Sequence, residues 1–389
     1  MKIFEKAFRV IQEIELHGYE AYLVGGAVRD YLIGKAVGDL DIATSATPDQ
    51  VMKVFDKVIP IGIEHGTVLV RFEKESFEIT TFRTEGAYSD YRHPDSVNFV
   101  TDVAADLARR DYTVNAIAMA RTGELVDPFD GRSAIEKKEL VTVGKAFDRF
   151  QEDPLRMMRG VRFVSQLGYK LDHNARKVME DQRLWLSRIA IERICIEMEK
   201  LCSGKNVKTA IQLLHDTGLW EAMPIFKDHP ELMRALAKKI EPLGTLAELV
   251  ALCSLFSTRP VLDWVKEWKL SNAIKQDAQH LVRILQSNLD AWAVYQLPVH
   301  LDEGFCRLEK IYKEKDVQDN VSSIRHMLPI RNSSELAISG GDLISWFPDR
   351  KKGSWIRDLL LAVEKAVVEN KIPNDKEQLK EWVIHGYNT

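Results

Sequence analysis

Two acidic residues, Asp39 and Asp41, are separated by one leucine and follow the glycine pair Gly25–Gly26 along the chain. We interpret residues 40–43 as a short strand, and side chains alternate along a strand with a period of two. The spacing therefore predicts that both carboxylates lie on one face. Two such carboxylates repel each other unless a cation lies between them, and Mg2+ prefers oxygen ligands and commonly also holds substrate phosphates. The pair predicts a metal-dependent phosphoryl- or nucleotidyl-transfer site, although two surface carboxylates in a polar turn fit the same residues.

The glycine pair lies between a predicted strand, residues 21–24, and a predicted helix that contains Arg29. Glycine lets the backbone approach a phosphate closely, and a helix N-terminus offers free N–H groups and a partial positive charge. Arg29 would add a charged fork to a triphosphate. A tight turn without any ligand is the simpler interpretation of Gly25–Gly26 alone, and the acidic pair that follows favours phosphate binding.

A third group of polar residues, at residues 109–116, contains Arg110 and Asp111. Arg110 is predicted to bind a phosphate or ribose oxygen, and Asp111 is predicted either to hold the sugar or to orient Arg110. The alternative is a capped helix start with a solvated ion pair, which would stabilise the fold very little at a surface.

A fourth group recurs every three residues after Glu152, and its members are Asp153, Arg156, Arg159 and Arg162. Pro154 marks a helix start, and this spacing keeps neighbours on roughly one face of the helix. Asp153 can accept from the amino group of cytosine or adenine while Arg156 donates to the adjacent ring nitrogen. Guanine and uracil present the reverse pattern and would leave buried groups unpaired, which makes such selection strong. Arg159 and Arg162 would reach phosphates, but an ordinary amphipathic helix with a basic stripe also fits.

The elements that must position these residues change in type along the chain. The predicted strands are short β-branched or aromatic runs in the first part, at residues 21–24, 40–43, 67–72 and 77–82. From Pro154 onwards the sequence predicts mostly helices, punctuated by glycine and proline. An α+β head followed by a long helical extension is the expected architecture. The turn-rich segment 83–98 is predicted to leave the sheet as a long mobile loop, and a plain surface excursion fits it equally well.

Bulk composition excludes several classes of protein. The 389 residues contain no apolar run of about 18 residues, so no membrane span is expected. The four cysteines are dispersed without a Cys-x-x-Cys pair, which argues against a zinc knuckle or a disulfide framework and predicts a cytoplasmic setting. The net charge of −4 does not suggest a nucleic-acid binder, but it does not exclude one, because phosphate affinity depends on local basic patches.

Five motifs together resemble the class II tRNA nucleotidyltransferases, the CCA-adding enzymes of the poly(A) polymerase/tRNA nucleotidyltransferase family, in their compact Bacillus-like form. They are LVGGAVRD at 23–30, GDLDIAT at 38–44, RRDYTVNA at 109–116, DPFDG at 127–131 and EDPLRMMRGVRF at 152–163. The resemblance implies a nucleotidyltransferase head similar to DNA polymerase β with a mixed sheet, then an all-α neck, body and tail. The domains expected on this basis cover residues 1–138, 139–200, 201–290 and 291–389.

The resemblance also implies an activity: addition and repair of the 3′-terminal CCA of tRNA from CTP and ATP, without a nucleic-acid template and with release of pyrophosphate by a two-metal mechanism. Mg2+ is the expected cofactor, and the acceptor end and elbow of tRNA are the expected binding partner. The implied metal ligands are Asp39 and Asp41, the implied triphosphate and ribose contacts are Gly26, Arg29 and Arg110, and the implied base template is Asp153 with Arg156. Arg159 and Arg162 would support nucleotide or primer phosphates, Glu152 would position the template helix, and Glu78 is a third carboxylate without an assigned role.

Related activities stay open at this point. A shortened loop is typical of members that add only CC, so the full-length segment 83–98 favours complete CCA addition. Residues 61–67 lack the basic, aromatic run of the related bacterial poly(A) polymerases. The alternatives are a poly(A) polymerase, a partial CC- or A-adding enzyme and a non-catalytic RNA-binding protein. The intact acidic pair and the intact template residues argue against a non-catalytic RNA-binding protein. The sequence does not distinguish a monomer from a homodimer.

Overall fold

The computed structural model describes residues 2–91 and 94–386, and the chain divides into two compact units between Pro242 and Leu243. The division into four domains expected from the sequence stays a prediction. Within the described ranges, no helix is both long enough and apolar enough to cross a membrane.

The first unit is built around a seven-stranded mixed sheet in the order β3-β4-β5-β2-β1-β8-β9. Its pairs are antiparallel except for β2 and β5, which run parallel. The mixed sheet of the expected α+β head is thereby confirmed. The strands of the chain are β1 (Ala21–Val24), β2 (Asp41–Thr44), β3 (Val58–Gly62), β4 (Thr67–Phe72), β5 (Glu75–Thr81), β6 (Arg83–Glu85), β7 (Val97–Phe99), β8 (Ala118–Met119), β9 (Leu125–Val126), β10 (Glu139–Leu140) and β11 (Lys170–Leu171).

One predicted strand is displaced by a residue, and the displacement changes the expected geometry of the acidic pair. Strand β2 begins at Asp41, so Asp39 lies in the segment that leads into it. The last residue of β1, Val24, pairs with Asp41, and the chain then turns away at Gly25. Because β1 offers no partner beyond that point, the prediction that both carboxylates alternate along one strand is wrong for Asp39.

The helices of the first unit cover the sheet and then continue the chain beyond it. Helix α1 buries Ala7, Val10, Ile11 and Ile14, a spacing that gives one apolar face against the sheet. The helices are α1 (Glu5–Leu16), α2 (Gly26–Leu32), α3 (Pro48–Val54), α4 (Val103–Ala108), α5 (Gly131–Lys137), α6 (Ala146–Glu152), α7 (Leu155–Leu167), α8 (His173–Asp181), α9 (Ile191–Cys202), α10 (Val207–Asp216) and α11 (Pro230–Lys239), with 3₁₀-helices at Lys2–Phe4, Ile63–His65, Thr113–Asn115, Arg183–Arg188, Leu219–Ala222 and Phe226–Asp228.

The segment predicted as a loop, residues 83–98, is held at both ends by strands. Strands β6 and β7 pair antiparallel with Arg83 opposite Phe99, so the segment is a hairpin. Residues 92 and 93 of this segment lie outside the described residues. The expected mobility of the loop stays a prediction.

The segment predicted to be an all-helical neck, residues 139–200, also contains a pair of short strands. Strands β10 and β11 pair parallel, and the Lys170 N–H donates to the Lys138 carbonyl at 2.9 Å. This short ladder connects the chain just after α7 to the chain just after α5, which positions α7 relative to the sheet.

Helix α7 packs against Tyr112 at Gly160, a residue without a side chain. A Cβ built on Gly160 would lie 2.2 Å from the Tyr112 hydroxyl oxygen. Tyr112 is fully buried, and its hydroxyl donates to the Arg156 carbonyl at 2.9 Å. Gly160 therefore allows α7 to approach the residues that precede α5.

Gly160→Ala is accordingly expected to destabilise the protein by roughly 1–3 kcal/mol, because the added methyl overpacks a buried contact. The free energy of unfolding in urea measures the effect. Gly341→Ala is the matched control, since a Cβ at this helical glycine would have its nearest contact at an ordinary 3.5 Å. Equal midpoints for Gly160→Ala and wild type would contradict the close packing.

Within the described residues of the second unit, all regular elements are helices. A buried cluster that includes Leu343, Leu359, Val363, Val367 and Leu379 forms a core among its last helices. Its helices are α12 (Leu246–Ser257), α13 (Val261–Glu267), α14 (Asn272–Leu285), α15 (Ala291–Gln296), α16 (Asp302–Lys313), α17 (Gln318–Met327), α18 (Gly340–Trp346), α19 (Trp355–Val368) and α20 (Lys376–Gly386), with 3₁₀-helices at Val299–Leu301 and Ser333–Glu335. The helical extension expected from the sequence is confirmed.

Candidate nucleotide and metal site

A cavity of about 630 Å³ in the first unit collects side chains from distant parts of the sequence. It contains every predicted site residue except Asp39. The lining consists of Gly25, Gly26, Arg29, Asp41, Arg110, Asp111, Asn115, Asp153, Leu155, Arg156, Arg159, Arg162, Phe163, Gln166, Arg193 and Lys200. Its seven cationic side chains outnumber its three carboxylates, so the cavity suits a polyanion such as a triphosphate.

The carboxylate side of the cavity is organised by strand pairing. Asp41 is the first residue of β2 and lies opposite Glu78 of the parallel strand β5. Burial raises the pKa of Asp41 to about 6, and the negative charges of Glu78 and Asp39 add to that effect while Arg110 opposes it. Three carboxylates therefore concentrate negative charge at one place, and a cation would relieve it.

The residues present fit a metal that shares its ligands with a substrate. In residues 2–91 and 94–386, no group of three or more His, Cys, Asp or Glu side chains is arranged to hold a metal ion. Asp39 and Asp41 would supply part of a coordination shell, and phosphate oxygens of a substrate would supply the rest, as is usual for magnesium at phosphoryl-transfer sites.

The glycine turn brings backbone against two charged side chains. Gly25 has φ +72°, a conformation that L side chains rarely adopt. A Cβ at Gly25 would lie 3.0 Å from Nη1 of Arg110 and 3.8 Å from Oδ2 of Asp41. A side chain here would fill the space between the arginine and the carboxylate, so the glycine keeps that space open for a ligand.

Arg110 is partly buried, and its hydrogen bonding is incomplete. Its Nη2 lies 3.6 Å from a carboxylate oxygen of Asp106, and its buried Nε–H has no hydrogen-bond partner. Burial lowers the pKa of the guanidinium from its ordinary value. A buried donor without a partner destabilises the fold, so a hydrogen bond from the Arg110 Nε–H to an incoming anionic oxygen would be favourable.

A hydrogen-bonded chain connects Arg29 to helix α7. Arg29 donates to the Asn115 side-chain oxygen at 2.6 Å, Asn115 donates to Asp111 at 3.1 Å, and Arg159 donates to Asp111 at 2.6 Å. Burial alone would raise the pKa of Asp111, but Arg159 and Asn115 outweigh it and hold the pKa at about 2. Asp111 is therefore ionised and binds Arg159, whereas the sequence predicted Arg110 as its possible partner.

Asp153 and Arg156, the pair predicted to read the base, lie at the junction of α6 and α7, and neighbouring residues hold each side chain in place. Asp153 accepts from the Leu155 N–H at 3.0 Å and from Nη2 of Arg193 at 2.8 Å. Arg156 donates to Glu152 at 2.6 Å and to the Arg109 carbonyl at 3.1 Å. Both side chains face the same cavity, which is the arrangement that base reading requires.

The last two predicted arginines also line the cavity. Arg162 lies 3.2 Å from Glu197, its guanidinium lies over the Phe163 ring at 4.4 Å, and its buried Nε has no hydrogen-bond partner. Arg159 stacks on the same ring at 5.5 Å. Phe163 therefore supports a cationic wall along α7.

Sequence reasoning missed several lining residues, and the reason differs among them. Asn115 belongs to a motif quoted for the resemblance, so its amide was available as a signal. Arg193 and Lys200 lie on α9, among alternating charges that resemble any solvated helix. They reach the cavity because α9 packs on α7, a contact that no local pattern predicts.

Comparisons with known proteins agree with this geometry. Family models match three segments: the poly A polymerase head domain at residues 21–141, the RNA and SrmB-binding site of polymerase A at 168–235, and domain 2 of tRNA nucleotidyltransferase at 247–383. The CCA-adding enzyme of Oceanobacillus iheyensis is 44% identical over 98% of this chain and 97% of its own length. The CCA-adding enzyme of Bacillus mycoides is 41% identical over 98% of each chain.

Solved structures show the same likeness. The Bacillus stearothermophilus CCA-adding enzyme in complex with CTP matches with a TM-score of 0.90 and 36% identity, over 98% of this chain and 97% of that one. The Thermotoga maritima CCA-adding enzyme complexed with tRNA matches with a TM-score of 0.64 at 17% identity, which is a likeness of fold.

Proposed function

Because the chain belongs to the CCA-adding enzymes, a class of nucleotidyltransferases that use divalent metals, we propose that it adds and repairs the CCA sequence at the 3′ end of tRNA. The proposed substrates are CTP, ATP and tRNA, and the proposed product besides the extended tRNA is pyrophosphate. The observation that carries this proposal is the single cavity that combines Asp41, a cationic wall and the Asp153–Arg156 pair.

The proposed metal ligands are Asp39 and Asp41, and the proposed ion is Mg2+. A divalent ion held there would activate the attacking hydroxyl and neutralise charge on the leaving pyrophosphate. Arg29, Arg110 and Arg159 would bind the triphosphate and keep the α-phosphate in line with the primer 3′-hydroxyl. Most of the rate enhancement then comes from positioning and charge neutralisation.

Glu78 is proposed as a carboxylate that tunes Asp41. It lies directly opposite Asp41 in the parallel β2–β5 pair, and its charge raises the pKa of that group. Removing the charge would make Asp41 easier to ionise, so Glu78 affects how readily the acidic pair accepts a cation.

Base selection is proposed to use Asp153 and Arg156 directly. Arg193 and Glu152 hold the two side chains in place, since each forms an ion pair with one of them. An Asp carboxylate has room for further hydrogen bonds beyond those to Arg193 and Leu155, so it can still accept from a base amino group. One site would then serve both cytosine and adenine.

The second unit is proposed to bind tRNA through exposed basic residues. Three basic residues of this unit, Arg307, Lys313 and Arg325, are ion-paired to Glu248, Glu309 and Asp302, respectively. Lys310, Lys351 and Lys352 are exposed, and the structure records no ion pair for them within the described ranges. Duplex RNA is recognised mainly by shape and backbone contacts, so these lysines are the better candidates for phosphate binding. We also propose a cytoplasmic setting, which the dispersed cysteines favour.

The proposed function is tested with three tRNA substrates, ending before CCA, after CC, and after CCA. With CTP and ATP together, we expect the tRNA that ends before CCA to gain CCA and the tRNA that ends after CC to gain A. The tRNA that already ends in CCA should gain nothing. Sequencing of the 3′ ends reads which nucleotides are added and where addition stops. Addition of A without C would point to a poly(A) polymerase instead, and addition of CC alone would point to a partial enzyme.

A further inference from the structure

One exposed and two half-buried aromatic rings lie together in the first unit, and none of them lines the nucleotide cavity. Phe147 of α6 is 44% exposed and contacts Trp185 edge-to-face, with ring centroids 5.2 Å apart and planes at 69°. Arg188 lies over the Tyr91 ring at 4.6 Å and over the Trp185 ring at 5.8 Å. We call Phe147, Trp185, Arg188 and Tyr91 the aromatic cluster.

Within residues 2–91 and 94–386, no carboxylate forms an ion pair with the charge on this cluster. Arg188 is exposed, and its recorded contacts in the described part of the chain are the two rings rather than a carboxylate. The exposed Phe147 ring and the accessible parts of the other two rings offer a stacking surface, and the Arg188 guanidinium adds a positive charge beside it. Single-stranded nucleic acid is bound by that combination, because every base has a π-face and every linkage carries a phosphate.

The cluster is connected to the base template by one short helix. Phe147 lies near the start of α6, and Glu152 ends it, so the two residues are separated by roughly 8 Å along the helix axis. Glu152 in turn binds Arg156, and Asp153 follows directly. A strand of RNA whose end reaches the cavity could place an upstream base on the cluster.

We propose that the aromatic cluster stacks an unpaired nucleotide at the 3′ end of the primer RNA while the terminal hydroxyl lies in the cavity. This proposal rests on the proposed function, because it assigns a place to that function's RNA substrate. The cluster would hold the primer rather than the incoming nucleotide, so it should affect primer affinity and leave the chemistry of transfer unchanged.

The test measures the affinity of variants for a primer tRNA that ends in CC, together with KM for ATP and kcat. Phe147→Ala and Arg188→Met should each weaken primer binding about tenfold, equivalent to ~1.4 kcal/mol. Both should leave kcat and KM for ATP within about twofold of wild type. Leu184→Ala is the matched control, because Leu184 is 57% exposed in the same 3₁₀-helix as Trp185 and carries no ring. It should bind the primer as wild type does.

A second measurement separates stacking from a structural role. Primers with one abasic nucleotide at each unpaired 3′ position should include one that binds wild type about tenfold more weakly. For the Phe147→Ala variant, this abasic primer and the intact primer should bind equally well, because the ring that stacks on the missing base is already absent. Three results would overturn the proposal. Phe147→Ala could bind the primer as tightly as wild type does, or Leu184→Ala could lose as much primer affinity as Phe147→Ala. The third is that every abasic primer binds Phe147→Ala more weakly than the intact primer does. If wild type transfers no nucleotide at all, the proposed function fails instead, and the binding measurements still report on the cluster.

Discussion

Replacing Asp41 by asparagine is expected to lower the rate of nucleotide incorporation by roughly a thousandfold, because several kcal/mol of metal-dependent charge stabilisation are lost. The side chain keeps its shape, so the change removes charge rather than packing. Single-turnover incorporation of CMP from CTP into a primer ending before CCA measures the effect. Asp49→Asn, which neutralises an exposed carboxylate of α3 in the same unit, should retain wild-type activity.

The same substitution is expected to increase stability, which separates loss of function from loss of fold. The pKa of Asp41 is raised to about 6 in the folded protein, so the ionised carboxylate destabilises the fold at neutral pH. That cost is present above the folded pKa and disappears as the pH falls towards the ordinary value of the group. In metal-free buffer at pH 7.5 the melting temperature of Asp41→Asn should therefore exceed that of wild type, and the difference should shrink towards pH 4. A lower melting temperature at pH 7.5, or activity within tenfold of wild type, would contradict the assignment of Asp41.

Replacing Asp153 by alanine is expected to weaken selection against GTP and UTP by roughly a hundredfold in relative kcat/KM, because the acceptor that reads the base amino group is lost. The largest change should be a fall in kcat/KM for CTP and ATP, since their amino groups lose a buried partner. Incorporation of all four nucleotides by the variant, each measured alone, gives the ratios. Unchanged rejection of GTP and UTP would remove Asp153 from base reading.

The contact between Asp153 and Arg193 requires its own control. In Asp153→Ala the Arg193 guanidinium loses its partner at 2.8 Å, and this charge could itself disturb the cavity. Arg193→Met removes that charge while it leaves the Asp153 carboxylate in place. If Arg193→Met alone relaxed selection as much as Asp153→Ala, Asp153 would act through its orientation by Arg193.

Residue type and spacing were enough to select side chains that the structure brings into one cavity, but not to predict the strand pairing and helix packing that bring them there. The motifs that carry Arg29, Arg110 and Arg156 are short and local, so residue type and spacing suffice to find them. Strands 21–24 and 67–72 were also predicted with their observed bounds, because both are short runs rich in apolar, aromatic or β-branched residues that are bounded by glycine or charged residues.

Features that depend on pairing between distant segments could not be predicted in this way. The start of β2 at Asp41 is set by where β1 ends, and the position of Glu78 opposite Asp41 is set by the register of a parallel pair. Arg193 reaches the cavity through the packing of α9 on α7. Each of these needs the three-dimensional arrangement, since the local sequence around Arg193 or Glu78 is compatible with an exposed surface.

The close approach of Gly160 to Tyr112 constrains how this chain can evolve. A side chain can appear at position 160 without a clash only if position 112 first loses its hydroxyl oxygen, which lies 2.2 Å from the space a Cβ would occupy. The order of substitutions therefore matters, and changes at the two positions are not additive. Because the Tyr112 hydroxyl also donates to the Arg156 carbonyl, a substitution at this contact would also affect helix α7, which carries Arg156. Lineages with a side chain at position 160 are therefore expected to lack the tyrosine hydroxyl at position 112.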